Sequence, residues 1–176
     1  MALSRYNLIA RVLHWVVAVL VIAQLSLGFA ADWAGRPLAA VLLDQHVRIG
    51  LLILSLMIQR LLWRLVKNVP PPPHTTPKWQ VWAAKAVHWL LYLLLFILPV
   101  SGYVLWAWIG RQLDWFGLFP IPILFTGGED ETWRSIAGYT HSYAGLVLIA
   151  LLVTHIGAAL WHEFIKGDRL ISERML

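Results

Sequence analysis

The 176-residue sequence contains no cysteine. That removes disulfides, thiolate zinc sites, iron–sulfur clusters and covalent attachment of a c-type haem together, because each needs a sulfur atom. Charge is scarce as well: 13% of the residues are charged and only 9 are Asp or Glu. The apolar runs hold no carboxylate in their interiors, which argues against a transporter passing metal ions along its histidines, since such a pathway usually places acids or broken helices at mid-membrane. A short apolar run closed by a small-residue cleavage motif is missing near the start, so the first apolar segment is expected to stay on the protein. The net charge of +5 would suggest nucleic acid in a soluble chain. Here Lys and Arg flank apolar runs and read as topology markers, so no nucleic-acid partner is expected.

What is present is apolar surface. Hydrophobic residues make up 60% of the chain and the mean hydropathy is +0.69, a composition that belongs in lipid. Four apolar stretches, the second with Arg48 near its start and Arg60 and Arg64 near its end, are each long enough to cross a hydrocarbon core of roughly 30 Å. They predict an all-α membrane protein, a four-helix bundle with spans at residues 7–31, 42–66, 79–108 and 133–165 in one domain, 1–176, without internal repeats. Pro70, Pro71, Pro72, Pro73 and Pro77 make the segment between the second and third spans an extended loop. Eleven Trp residues, among them Trp33, Trp79, Trp82, Trp108 and Trp133, tend to fall where apolar runs meet polar loops, as an interfacial belt requires. Of the fourteen Lys and Arg residues, only Arg36, Arg48, Arg111 and Arg134 lie away from the N-terminus, the Pro-rich segment and the C-terminus. Both termini are therefore expected in the cytoplasm. Residues 109–133, with Pro120, Pro122 and a turn at Gly127, Gly128, Glu129, Asp130 and Glu131, are expected to lie as a lid on the outer surface.

With cysteine absent, histidine is expected to carry any metal chemistry. There are seven, His14, His46, His74, His88, His141, His155 and His162, and only His74 falls clearly in a loop. A single buried imidazole is as readily a hydrogen-bonding partner for a neighbouring helix as a ligand. Their depths say more. His141 and His155 share one helix, roughly 21 Å apart along its axis and within about 40° of one face. His46 matches the depth of His141, whereas His14 and His88 both match that of His155, so two stacked sites can form and the partner at the inner one stays open. An iron held on both sides by imidazole transfers electrons and offers no open position to oxygen. A purely structural anchor would not need a histidine at matched depth on every span. Gly50, Gly138 and Gly145 stand near these histidines where a flat group would need close backbone approach. Arg48 and Arg11 lie beside ligand candidates and could pair with carboxylates of such a group.

The order of these features resembles the bacterial cytochrome b561 family, four-helix di-haem membrane cytochromes related to the cytochrome subunits of hydrogenases and formate dehydrogenases. Its carriers are Arg11-Val12-Leu13-His14-Trp15, His46 with Gly50, Arg60-Leu61-Leu62-Trp63-Arg64, His88 with Tyr92, Pro99-Val100-Ser101-Gly102-Tyr103, Phe116-Gly117 with Pro120, and His141 and His155 leading to His162, Asp168 and Arg174-Met175. They span nearly the whole chain. The resemblance implies two haem b groups, one between His14 and His155 and one between His46 and His141, in a protein of the bacterial inner membrane. It leaves His88 as a neighbour of the inner group or part of a quinone pocket, with His162, His74 and Lys78 as further quinone candidates. Electron exchange with a quinone follows, either as an oxidoreductase that oxidises superoxide and reduces ubiquinone or as a cytochrome subunit serving a partner dehydrogenase. Members often end the fourth helix with two adjacent histidines, and here Trp161 takes the first of those positions.

Overall fold

The computed structural model describes residues 5–67, 69–73, 76–110, 112–124 and 131–176. Four long helices run through it: α1 (Leu8–Trp33), α2 (Leu38–Val66), α3 (Lys78–Ile109) and α4 (Glu131–Leu160), the last extended by a π-helical turn, Trp161–Ile165. Each of the four is long and apolar enough to span a membrane. The Asn7 side chain starts α1 by accepting from the Ala10 amide at 2.9 Å. The same oxygen accepts from Trp63 Nε1 at 2.8 Å, which ties the start of α1 to the end of α2. α2 begins four residues before its expected position, because Pro37 caps it with a fixed φ and no amide hydrogen to waste. Gly110, at φ +69°, terminates α3 in the left-handed conformation that favours glycine.

The four spans are not packed evenly. α1 lies against α2, α2 against α3 and α3 against α4, but among the described residues α4 makes no comparably close backbone approach to α1 or α2. Imidazole rings cross that separation instead, as described below. At mid-depth the helices close around Val17, Val21, Ile53, Met57, Leu91, Leu94 and Leu148. Leu148 stands seven residues from both His141 and His155, so this apolar layer divides the bundle into two levels. The outward faces stay open to lipid, most clearly on α1 and α4, where 11% of the most apolar window is buried inside the protein.

Two small elements went beyond the sequence pattern. The loop after α3 contains a two-stranded antiparallel hairpin, β1 (Leu113–Asp114) and β2 (Pro120–Ile121). Its runs of two residues are too short to show alternation. The turn at Gly127–Asp130 lies outside the described residues. At the other end a short helix, α5 (Leu170–Arg174), folds beneath the bundle. The Tyr6 amide donates to the Arg174 carbonyl at 3.2 Å, Trp15 Nε1 to Met175 at 3.1 Å, and the Arg174 guanidinium to the carbonyls of Pro70 and Pro71 at 2.9 and 3.0 Å. Both termini and the Pro-rich loop thus gather at one end, called inner here.

Candidate functional site

At the outer level His46 of α2 faces His141 of α4, with ring centres 6.0 Å apart and planes at 71°. Each ring is oriented through Nδ1. His46 Nδ1 bonds the Gln24 carbonyl at 3.1 Å, and the Gln24 side-chain amide returns a bond to the His46 carbonyl at 2.8 Å. His141 Nδ1 bonds the Leu98 carbonyl at 3.0 Å with Ser101 Oγ 3.1 Å away. An imidazole that donates Nδ1–H to a carbonyl keeps Nε2 as its lone-pair nitrogen, the arrangement that fixes a metal-binding histidine. Glycines let the rings sit this close: a Cβ on Gly28 would lie 3.3 Å from His46 Cε1, and one on Gly102 3.1 Å from His141 Cε1. Gly50 has a different task from the expected one, since its missing side chain makes room for Gln24 Nε2 at 3.1 Å. Among the described residues a Cβ on Gly138 would meet only Leu105, at 3.8 Å, and one on Gly145 nothing within 4 Å.

At the inner level His155 has two imidazole neighbours. His14 of α1 is 6.3 Å away and His88 of α3 is 5.2 Å away, both at 78° to its plane. His88 Nδ1 donates to the Ala84 carbonyl one turn earlier at 2.6 Å, while the buried His14 Nδ1 has no partner among the described residues. Both sequence-derived depth groups therefore come together in space, and His88 joins the inner one.

The arginine and quinone candidates part company. Arg48 bonds Asp44 at 2.9 Å and Asp114 of the hairpin at 3.0 Å through one nitrogen, leaving Nε without a partner among the described residues. Arg11 donates to the Leu176 carbonyl, a tie to the C-terminus. His74 lies outside the described residues. His162, in the π-helical turn, donates Nδ1–H to Asp168 at 2.6 Å, and Lys166 reaches the same carboxylate oxygen at 2.9 Å. Lys78 is exposed at the start of α3. Beside it opens an apolar groove of about 650 Å³ between the start of α3 and the end of α4, lined by Trp79, Gln80, Val153, Thr154, Gly157, Ala158 and Trp161. Lys78 and His162 each adjoin a lining residue, whereas His88 does not line the groove. Gln24, Gly28, Ser101 and Gly102 were missed as supports of the ligand candidates. A lone amide or hydroxyl inside an apolar run was the available signal.

The Lys166 ammonium bonded to Asp168, together with His162, holds the Asp168 carboxyl below its ordinary value of 3.8. A carboxyl depressed on folding contributes stability above its unfolded pKa and loses it as pH falls through the folded one. Amide exchange in residues 166–176 is therefore expected to stay slow from neutral pH down to about 4 and to accelerate below it. Asp168→Asn should make that exchange faster at neutral pH and abolish the acid step.

A haem b group fits both levels. Two imidazoles facing one metal, each nitrogen about 2 Å from it, have ring centres roughly 6 Å apart, as His46 with His141 and His14 with His155 do. Among the described residues α4 makes no comparably close backbone approach to α1 or α2, as a flat group held between them would require. Residues 5–176 match the family model described as prokaryotic cytochrome b561. The chain is 31% identical to cytochrome b561 homolog 2 of Escherichia coli K12, over 98% of this chain and 92% of that protein. It is 27% identical to cytochrome b561 homolog 1 of the same organism, over 98% of each. A probable superoxide oxidase CybB of Yersinia pestis is 31% identical over 98% of this chain and 96% of its own length.

Proposed function

The chain belongs to the prokaryotic cytochrome b561 family, a multi-pass protein of the bacterial inner membrane that transfers electrons on haem b, and we propose that it does so through two haems, oxidising superoxide and reducing a quinone. The observation that carries the proposal is the pair of imidazole contacts, 6.0 and 6.3 Å between ring centres, that α4 makes at two depths of one bundle.

In this reading His46 and His141 hold the outer haem and His14 and His155 the inner one. Haem b held between these imidazoles would supply a one-electron couple. The protein does the positioning. The Gln24 and Leu98 carbonyls orient the outer rings, the apolar layer around Leu148 keeps water out between the levels, and the Arg48 Nε–H, without a partner among the described residues, would donate to a carboxylate of the outer group. In this reading both termini lie in the cytoplasm, which the Lys and Arg excess at the inner end supports. Ubiquinone, an apolar ring with two carbonyls, suits the groove between Trp79 and Trp161, with Lys78 and His162, each next to a lining residue in sequence, as its hydrogen-bond donors in this reading. The Yersinia pestis relative carries the superoxide reading by its name.

Purified protein, loaded with haem and given a superoxide-generating system and a short-chain ubiquinone, is expected to reduce the quinone at a rate that superoxide dismutase abolishes. No reduction by fully loaded protein would favour the alternative, a cytochrome subunit that draws electrons from a partner dehydrogenase.

A further inference from the structure

Arg60 and Arg64 lie one turn apart near the inner end of α2 and turn toward α3. Arg60 Cζ is 5.6 Å from the centre of the Tyr92 ring, and Arg64 Cζ is 5.8 Å from that ring and 5.6 Å from the ring of Trp89. Tyr92 is only 7% exposed, so the two guanidiniums share an aromatic face that belongs to the interior. Arg60 also hydrogen-bonds Tyr92 and is within electrostatic reach of His14, His88 and His155.

Other cations have protein oxygens within hydrogen-bond distance. Arg174 donates to two proline carbonyls and Lys166 to Asp168, while Arg48 at the far end has two aspartates. Among the described residues no carboxylate pairs with Arg60 or Arg64. Two like charges in adjacent turns of a membrane helix repel one another and lose hydration, and an aromatic face offsets only part of that cost. The missing member is an anion, and planar guanidiniums favour one that offers two oxygens to a fork.

We propose that Arg60 and Arg64 form the anion site of the inner haem, holding its propionate carboxylates beside the His14–His88–His155 cluster. The proposal rests on the two-haem reading above. A phospholipid phosphate offers similar oxygens, so the test separates the two sources.

Holoprotein is placed in nanodiscs of zwitterionic lipid, and of the same lipid with an anionic phospholipid added. Haem content, midpoint potentials and resonance Raman propionate bands are then measured. Arg60→Gln is expected to lower the inner midpoint by about tenfold in the reduction equilibrium, ~59 mV for one electron, and to shift the inner propionate bands equally in both lipids, with the outer haem unmoved. Arg60→Lys should restore most of the potential, since charge is kept, but not the bands, since the fork is lost. Arg64→Gln should act in the same direction and serves if the Arg60 variants do not fold. Unchanged propionate bands in variants that retain two haems would overturn the proposal. So would an inner potential that tracks anionic lipid in the wild type and loses that dependence in Arg60→Gln. Wild-type protein with fewer than two haems would instead overturn the reading on which the proposal stands.

Discussion

Replacing His155 with alanine is expected to halve the haem content, from two per chain to one, and to remove one of two midpoint potentials from a redox titration. His141→Ala should remove the other. The two effects are separable because the pairs lie at different depths, with the Leu148 layer between them. In the proposed reading each α4 histidine serves one level, so the surviving haem should keep its low-spin spectrum. A haem-to-protein ratio from pyridine haemochrome absorbance, read with the titration, checks both variants. If His155→Ala retained two haems, the inner assignment would fail outright. The partner at that level is ranked by a second comparison: His14→Ala should lose the inner haem, and His88→Ala should keep it with a shifted potential. His14 is 6.3 Å from His155, close to the separation expected across an iron, whereas His88 at 5.2 Å is nearer than two such ligands stand.

The spans were legible because lipid makes the strongest demand on sequence: about twenty residues without charge can hardly be anything else. The histidine depths were legible for the same reason, since α4 is a ruler with a fixed rise and His141 and His155 mark two points on it. What holds the rings was not. Gln24, Ser101 and the Leu98 carbonyl act across helices, and no periodicity within one helix reports which carbonyl a neighbouring ring will find. The glycines show the limit well. Gly50 is one turn from His46 in sequence but serves Gln24, while Gly28 and Gly102 serve rings on other helices. The hairpin and α5 escaped because their elements are two and five residues long, too short to carry a pattern.

Gly102→Leu is expected to abolish outer haem binding while leaving the inner haem in place, thus mimicking His141→Ala from a different helix. A Cβ at position 102 would lie 3.1 Å from His141 Cε1 and 3.4 Å from Nδ1, closer than ordinary contact. The ring has nowhere inexpensive to go, because Nδ1 is held by the Leu98 carbonyl at 3.0 Å and Ser101 Oγ lies 3.1 Å from it, one turn and one residue before the glycine. Moving it sacrifices bonds worth about 0.5–1.5 kcal/mol each, and keeping it strains the core by roughly 1–3 kcal/mol. Either way the ring leaves its place opposite His46. Gly102→Ala asks for a shift of only a few tenths of an ångström, so it should retain the haem with a displaced outer potential. Haem content and the two potentials, measured on both variants, decide the matter: a Leu variant with two haems and unchanged potentials would show that His141 does not depend on the close approach of α3.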